Sequence, residues 1–181
     1  MAHDETLKLA PDSDAARDAA ETLFRMVASE LAAVLPPSAE VLHIGATAVP
    51  GCLTKGDLDI VIRVDRVDFP AAQALLIGRL SRNGGSVRTD EFAAFEDADR
   101  SPHLGVQLTI KGGALDIFHH FVEALRADPA LVRRYNDIKQ RFRDRPMVDY
   151  RAAKDAFIGE VLAAQGVPCR DSSSSQRQPR K

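Results

Sequence analysis

The stretch Lys55-Gly56-Asp57-Leu58-Asp59-Ile60-Val61-Ile62-Arg63-Val64 decides the fold. From 57 to 64 it alternates, with Leu58, Ile60, Ile62 and Val64 on one side and Asp57, Asp59, Val61 and Arg63 on the other. That is the period-two pattern of a β-strand. One face is apolar and belongs against a core, while the other carries charge. Aspartates at i and i+2 on a strand project from the same face, and their carboxylates repel unless a cation or a proton offsets them. Carboxylate oxygens without cysteine favour a hard ion, Mg²⁺ or Mn²⁺, which keeps open positions for substrate phosphates. The alternative is a solvated acidic face on an exposed strand.

Upstream, Glu40 to Ile44 reads as a strand running into Gly45-Ala46-Thr47-Ala48-Val49-Pro50-Gly51, a loop of small residues broken by glycine and proline. A glycine turn after a strand lets backbone N–H groups approach phosphates closely. Gly45, Ala46, Thr47 and Lys55, the last standing just before the acidic pair, are therefore the nucleotide-binding candidates. Further back, residues 14–35 place Leu23, Met26, Val27, Leu31 and Val34 near helical spacing before Pro36-Pro37 stops the run.

Downstream, a helix is expected over 69–82, a turn at Asn83-Gly84-Gly85 and a short strand around Phe92 to Phe95. His103 to Lys111 alternates again, with His103, Gln107, Thr109 and Lys111 on the polar side, and Gly112-Gly113 predicts a hairpin into an antiparallel strand Ala114 to His120. On that strand Asp116 would face the same way as Phe118 and His120. If it lay beside the strand of Asp57 and Asp59, the three acids would hold two metal ions. These would activate an attacking hydroxyl and neutralise a leaving pyrophosphate. His119 and His120, adjacent on a strand, would point to opposite faces and could not share an ion.

Three helices are expected at 121–127, 129–144 and 149–165. The second holds Arg133, Arg134, Lys139 and Arg141, with Arg143 and Arg145 near its end. This basic run is either a solvated face or a docking surface for a phosphate-bearing acceptor, including RNA.

With 181 residues, 45% of them hydrophobic, the chain suits one domain, expected over 1–168, with a disordered Ser-rich tail at 169–181. A net charge of -2 argues against nonspecific coating of nucleic acid or anionic membrane. Two cysteines, Cys52 and Cys169, offer neither a disulfide framework nor a zinc site. No signal peptide and no run of about 20 apolar residues is present, so a soluble, cytoplasmic protein is expected.

The residues His43-Ile44-Gly45-Ala46-Thr47-Ala48-Val49-Pro50-Gly51, Lys55 and Asp57-Leu58-Asp59-Ile60 resemble the signature of the GrpB-like family, assigned to the nucleotidyltransferase superfamily that includes DNA polymerase beta. The resemblance continues through Phe121 to Pro129, Tyr135-Asn136-Asp137-Ile138-Lys139 and Asp149 to Ile158, and so covers about 40 to 165. It implies an α/β (α+β) fold with a nucleotidyltransferase-like mixed β-sheet, helices packed on one face and a C-terminal helical segment. Ala46 stands where the family usually has a serine, which removes a hydroxyl from the loop, and Gly56 stands where the family tends to have proline. The family often keeps only the second acid of the pair, so Asp57 brings this chain closer to the superfamily's Asp-x-Asp pattern. The leading expectation is Mg²⁺-dependent transfer of a nucleoside monophosphate from an NTP to an unidentified acceptor, with Asp57, Asp59 and Asp116 as catalytic metal ligands. The alternative is an inactive binding module that uses the polar sheet face.

Overall fold

Residues 5–167 are described by the computed structural model. A helix α1 (Ser13–Ala32) leads into strand β1 (Glu40–Ile44) and a short 3₁₀ turn at Ala46–Ala48. Strand β2 (Leu58–Val64), helix α2 (Phe69–Ile77) and strands β3 (Ser81–Arg82), β4 (Phe92–Asp97) and β5 (Leu104–Ile110) follow. Helices α3 (Phe118–Ala127), α4 (Pro129–Phe142) and α5 (Met147–Ala164) complete the order. The five strands make one mixed sheet in the order β1-β2-β5-β4-β3. Only the central pair β2 and β5 is parallel.

Asp12 caps α1, its carboxylate accepting the N–H groups of Asp14 and Ala15 at 3.0 Å each, a contact worth about 1 kcal/mol. The buried stripe Ala20, Leu23, Val27 and Leu31 then lies with α2 over the face of Leu58, Ile60, Ile62 and Val64. Those four strand residues are wholly buried, each contributing on the order of 2 kcal/mol. The opposite face of β2 meets three different neighbours. Asp59 opens into a cleft, Val61 lies beneath the packed residues of α3, α4 and α5, and Arg63 reaches the turn that follows β5.

Two elements differ from the sequence expectation. The helix from Phe69 ends at Ile77, and Ser81–Arg82 pair with β4 rather than extending it. No hairpin strand follows Gly112-Gly113. Strand β5 already has β2 on one side and β4 on the other, so neither edge is open for a further strand. The chain instead turns through Gly113 N–H to Ile110 and Asp116 N–H to Gly113, and α3 begins at Phe118. The buried residues Phe121, Val122 and Leu125 of α3 have helical spacing, which outweighs a four-residue alternation. The tail proposed at 169–181 lies outside the described residues.

Candidate functional site

Asp59 begins with its register. It pairs with Ile44 across β1 and with Gly105 across β5. A Cβ placed on Gly105 would stand 2.6 Å from Asp59 Oδ1, and one on Gly45 would stand 2.8 Å from Oδ2. The carboxylate therefore occupies space that two missing side chains leave. Gly45 also has φ +75°, which adds a backbone reason for glycine there. Burial pushes the Asp59 pKa up, and the charge of Asp57 pushes it further, while Lys154, Lys55 and His103 pull it back. Asp57 precedes β2 and lies 3.2 Å from Lys55 Nζ.

These groups line one cleft of about 1650 Å³ between the sheet and the C-terminal helices. Gly45, Ala46, Lys55, Asp57 and Asp59 share it with Glu96, His103, Gln107 and, from α5, Tyr150 and Lys154. Lys154 was not among the sequence candidates, although it falls within the Asp149 to Ile158 match. A lone lysine on a helix has no local signal, because only the packing of α5 turns it toward β2. Gly105 escaped for the same reason, since its importance lies in a neighbour 46 positions earlier in the chain.

The loop from Gly45 to Asp57 is held from outside. Thr47 is buried, and its hydroxyl donates to the Asp57 carbonyl oxygen at 3.0 Å. It also meets His43 Nε2 at 3.0 Å, and His43 Nδ1 lies 3.1 Å from a Glu21 carboxylate oxygen. Thr47 thus spends its hydroxyl on the loop. A carbonyl can only accept, so the chain is complete when His43 donates from both nitrogens. Burial works against that charge and lowers the His43 pKa, with Glu21 opposing. Arg126 donates twice to the Ala48 carbonyl, and Asn136 bonds both Leu53 N–H and the Gly51 carbonyl. The Tyr135 to Lys139 stretch of α4 is thereby a clamp on this loop.

Asp116 does not join the acidic pair. Its carboxylate takes two hydrogen bonds from Arg63, at 2.6 and 2.8 Å, and a third from Gly112 N–H at 2.8 Å. Arg63 stands four residues beyond Asp59, about 13 Å along a strand. Among the described residues no group of three His, Cys, Asp or Glu side chains could hold one metal ion. The expectation that Asp116 is a third metal ligand is corrected, because the strand needed to carry it does not form. His119 and His120 likewise lie on α3, with His119 Nδ1 3.6 Å from Asp116.

Burial alone would raise the Asp116 pKa, but the bonds from Arg63 and Gly112 hold it below the ordinary value. A depressed carboxylate contributes stability above its unfolded pKa and loses it as pH falls through the folded one. Asp116→Asn leaves Arg63 without its bidentate partner and is expected to cost about 3 kcal/mol. Urea unfolding at neutral pH measures it, with the difference from the parent shrinking in acid. A cost near zero would show that the pair is not structural.

The basic run on α4 is also redistributed. Lys139 is only 2% exposed, so it is no part of an RNA-facing surface. Arg134 pairs with Glu160 at 2.7 Å and lies over the Phe157 ring, and Arg141 lies over Phe142. Of the polar strand residues, His103 and Gln107 reach the cleft, while Thr109 is fully buried and Lys111 pairs with Glu40. No helix among the described residues is long and apolar enough to cross a membrane.

A sequence model of the family described as GrpB protein matches residues 15–164. A UPF0157 protein of Vibrio cholerae serotype O1 is 34% identical over 144 residues, which cover 78% of this chain and 75% of that protein. The crystal structure of the conserved protein GrpB from Enterococcus faecalis superposes with a TM-score of 0.66 at 21% identity, covering 81% of this chain and 92% of that one. A MgATP-bound crystal structure of the Cid1 poly(U) polymerase has a TM-score of 0.47 at 13% identity, over 69% of this chain and 40% of that one.

Proposed function

The chain belongs to the GrpB family, and from that premise we propose that its cleft transfers a nucleoside monophosphate from an NTP to an acceptor. The observation that carries this reading is Asp59, a half-buried carboxylate wedged between Gly45 and Gly105 beside Asp57, whose charge and the burial together raise its pKa. A protein gains no stability from such a placement, and carboxylates whose pKa is raised by burial and a like charge concentrate where chemistry is done.

The residues present suit one hard divalent ion rather than two. Mg²⁺ binds through one or two carboxylates and completes its shell with substrate phosphates, and Asp57 and Asp59 are two carboxylates facing one cleft. Bound there, the ion would neutralise charge that develops on the phosphates during transfer. Lys55 and Lys154 reach the same cleft from two sides and offset the remaining triphosphate charge. Gly45 and Ala46 line the cleft without side chains that would block backbone approach to phosphate. In the transfer, an acceptor oxygen attacks the α-phosphorus, the bond to the bridging oxygen breaks, and pyrophosphate leaves.

Calorimetry with Mg²⁺ and each of the four NTPs tests the reading. Saturable binding is expected in the wild type, with loss in Asp59→Ala. Lys154→Ala is expected to weaken it about tenfold, or ~1.4 kcal/mol. No binding by the wild type, or binding undiminished in Asp59→Ala, sinks the proposal. A second reading, a silent binding module, draws support from the withdrawal of Asp116 and from Ala46. It predicts a ligand retained by metal-free protein and no pyrophosphate released from any NTP mixed with cell extract.

A further inference from the structure

Lys139 and Cys52 form a buried pair that the transfer reaction does not use. Lys139 Nζ stands 3.1 Å from Cys52 Sγ, 2.5 Å from the Leu53 carbonyl oxygen and 3.6 Å from the centre of the Tyr135 ring. Both side chains are 2% exposed. The thiol belongs to the loop that leads to Lys55 and Asp57, and the amine belongs to the helix that clamps that loop. We infer that Cys52 and Lys139 are a site of oxidative cross-linking, where peroxide converts the contact into a covalent sulfur–nitrogen bond between loop and helix.

The contact is close enough that bond formation needs only a side-chain shift, and the packing of Leu53 and Tyr135 already aims the amine at sulfur. Burial lowers the Lys139 pKa, which favours the neutral, nucleophilic amine. Lys139 lines the cleft, and Cys52 Sγ lies 3.1 Å from its amine, so the sulfur stands one side chain away from the cleft. In the first step sulfur attacks peroxide, the oxygen–oxygen bond breaks, and the thiol becomes a sulfenic acid with release of water. In the second step the amine nitrogen attacks that sulfur. The sulfur–oxygen bond breaks, and hydroxide leaves with a proton from nitrogen as a second water. Sulfur is oxidised, peroxide is reduced, and the protein loses one hydrogen from the thiol and one from the amine. Sulfenic acids condense in the same way with backbone nitrogen.

A disulfide between Cys52 and Cys169 would lose the same two hydrogens, so the test uses the full chain carrying Cys169→Ser. The protein is treated with hydrogen peroxide and read by intact mass and peptide mapping. The expected result is loss of two hydrogen atoms, with the peptides containing Cys52 and Lys139 joined, and reversal by dithiothreitol. Adding Lys139→Arg keeps a cation against Tyr135 but removes the nucleophile, so Cys52 is then expected to gain oxygen with no joined peptides. Peptides that stay separate when lysine is present, or that join when it is arginine, overturn the inference.

Discussion

Asp59→Asn should make the protein more stable while abolishing Mg²⁺-dependent NTP binding. The carboxylate at 59 is half-buried, and burial and the charge of Asp57 both raise its pKa, so its ionised form is held against a penalty. A carboxyl whose folded pKa is raised binds more protons in the folded than in the unfolded state between the two pKa values. Stability therefore falls as pH rises through that window. The amide keeps the shape, loses the charge and escapes this penalty. A gain of about 1 kcal/mol is expected at neutral pH, typical of substitutions that relieve a functional site. The gain should diminish as pH is lowered through the raised pKa, because the parent then protonates and sheds its own penalty. Urea unfolding from neutral to acidic pH measures it. If Asp59→Asn proved destabilising at neutral pH, the carboxylate would be a structural hydrogen-bonding group and the site argument would fall with it.

Gly105→Ala carries the second large effect, and its sign should depend on residue 59. Gly105 sits inside β5 with an ordinary extended backbone, where alanine by itself would stabilise by roughly 0.5–1 kcal/mol. In the wild type, however, the new methyl would lie 2.6 Å from Asp59 Oδ1. The carboxylate cannot swing aside freely, since Gly45 bounds its other oxygen. Overpacking of this kind costs about 1–3 kcal/mol. The same substitution made in an Asp59→Ala background meets no clash and should stabilise. A double-mutant cycle of unfolding free energies reads the coupling directly, and contacting residues couple by about 0.5–3 kcal/mol. Additive effects of the two changes would show that Asp59 does not rest over Gly105.

These two residues also mark the limit of what can be read from the chain alone. The alternation from Asp57 to Val64 announced β2, its buried face and the direction of Asp59, because side-chain parity on a strand is set by the backbone and needs no neighbour. The loop after Ile44 was equally legible, since a strand ending in glycine and small residues has few alternatives. Side-chain parity does not decide Leu115 to Phe118, where four residues alternate by chance. Whether a strand forms there depends on a free sheet edge, and β5 has none. That one topological fact moved Asp116 from the proposed metal site to a salt bridge with Arg63.

The place of Lys139 is hidden in the sequence for a related reason. On a helix surrounded by arginines its charge suggests a solvated face, and only the packing of Phe121, Tyr135 and Phe157 turns it inward onto the Cys52 loop. Lys154 is equally illegible, because nothing in its immediate sequence says that α5 lines the same cleft as Asp59. The chain by itself thus determined the strand, the loop and the acidic pair, all consequences of periodicity over a few bonds. The tertiary structure alone decided which carboxylate sits half-buried against two glycines, which lysine shares its cleft and which acid is spent on a salt bridge. Burial and charge pairing are properties of neighbours in space, and in this molecule those neighbours lie tens of residues apart.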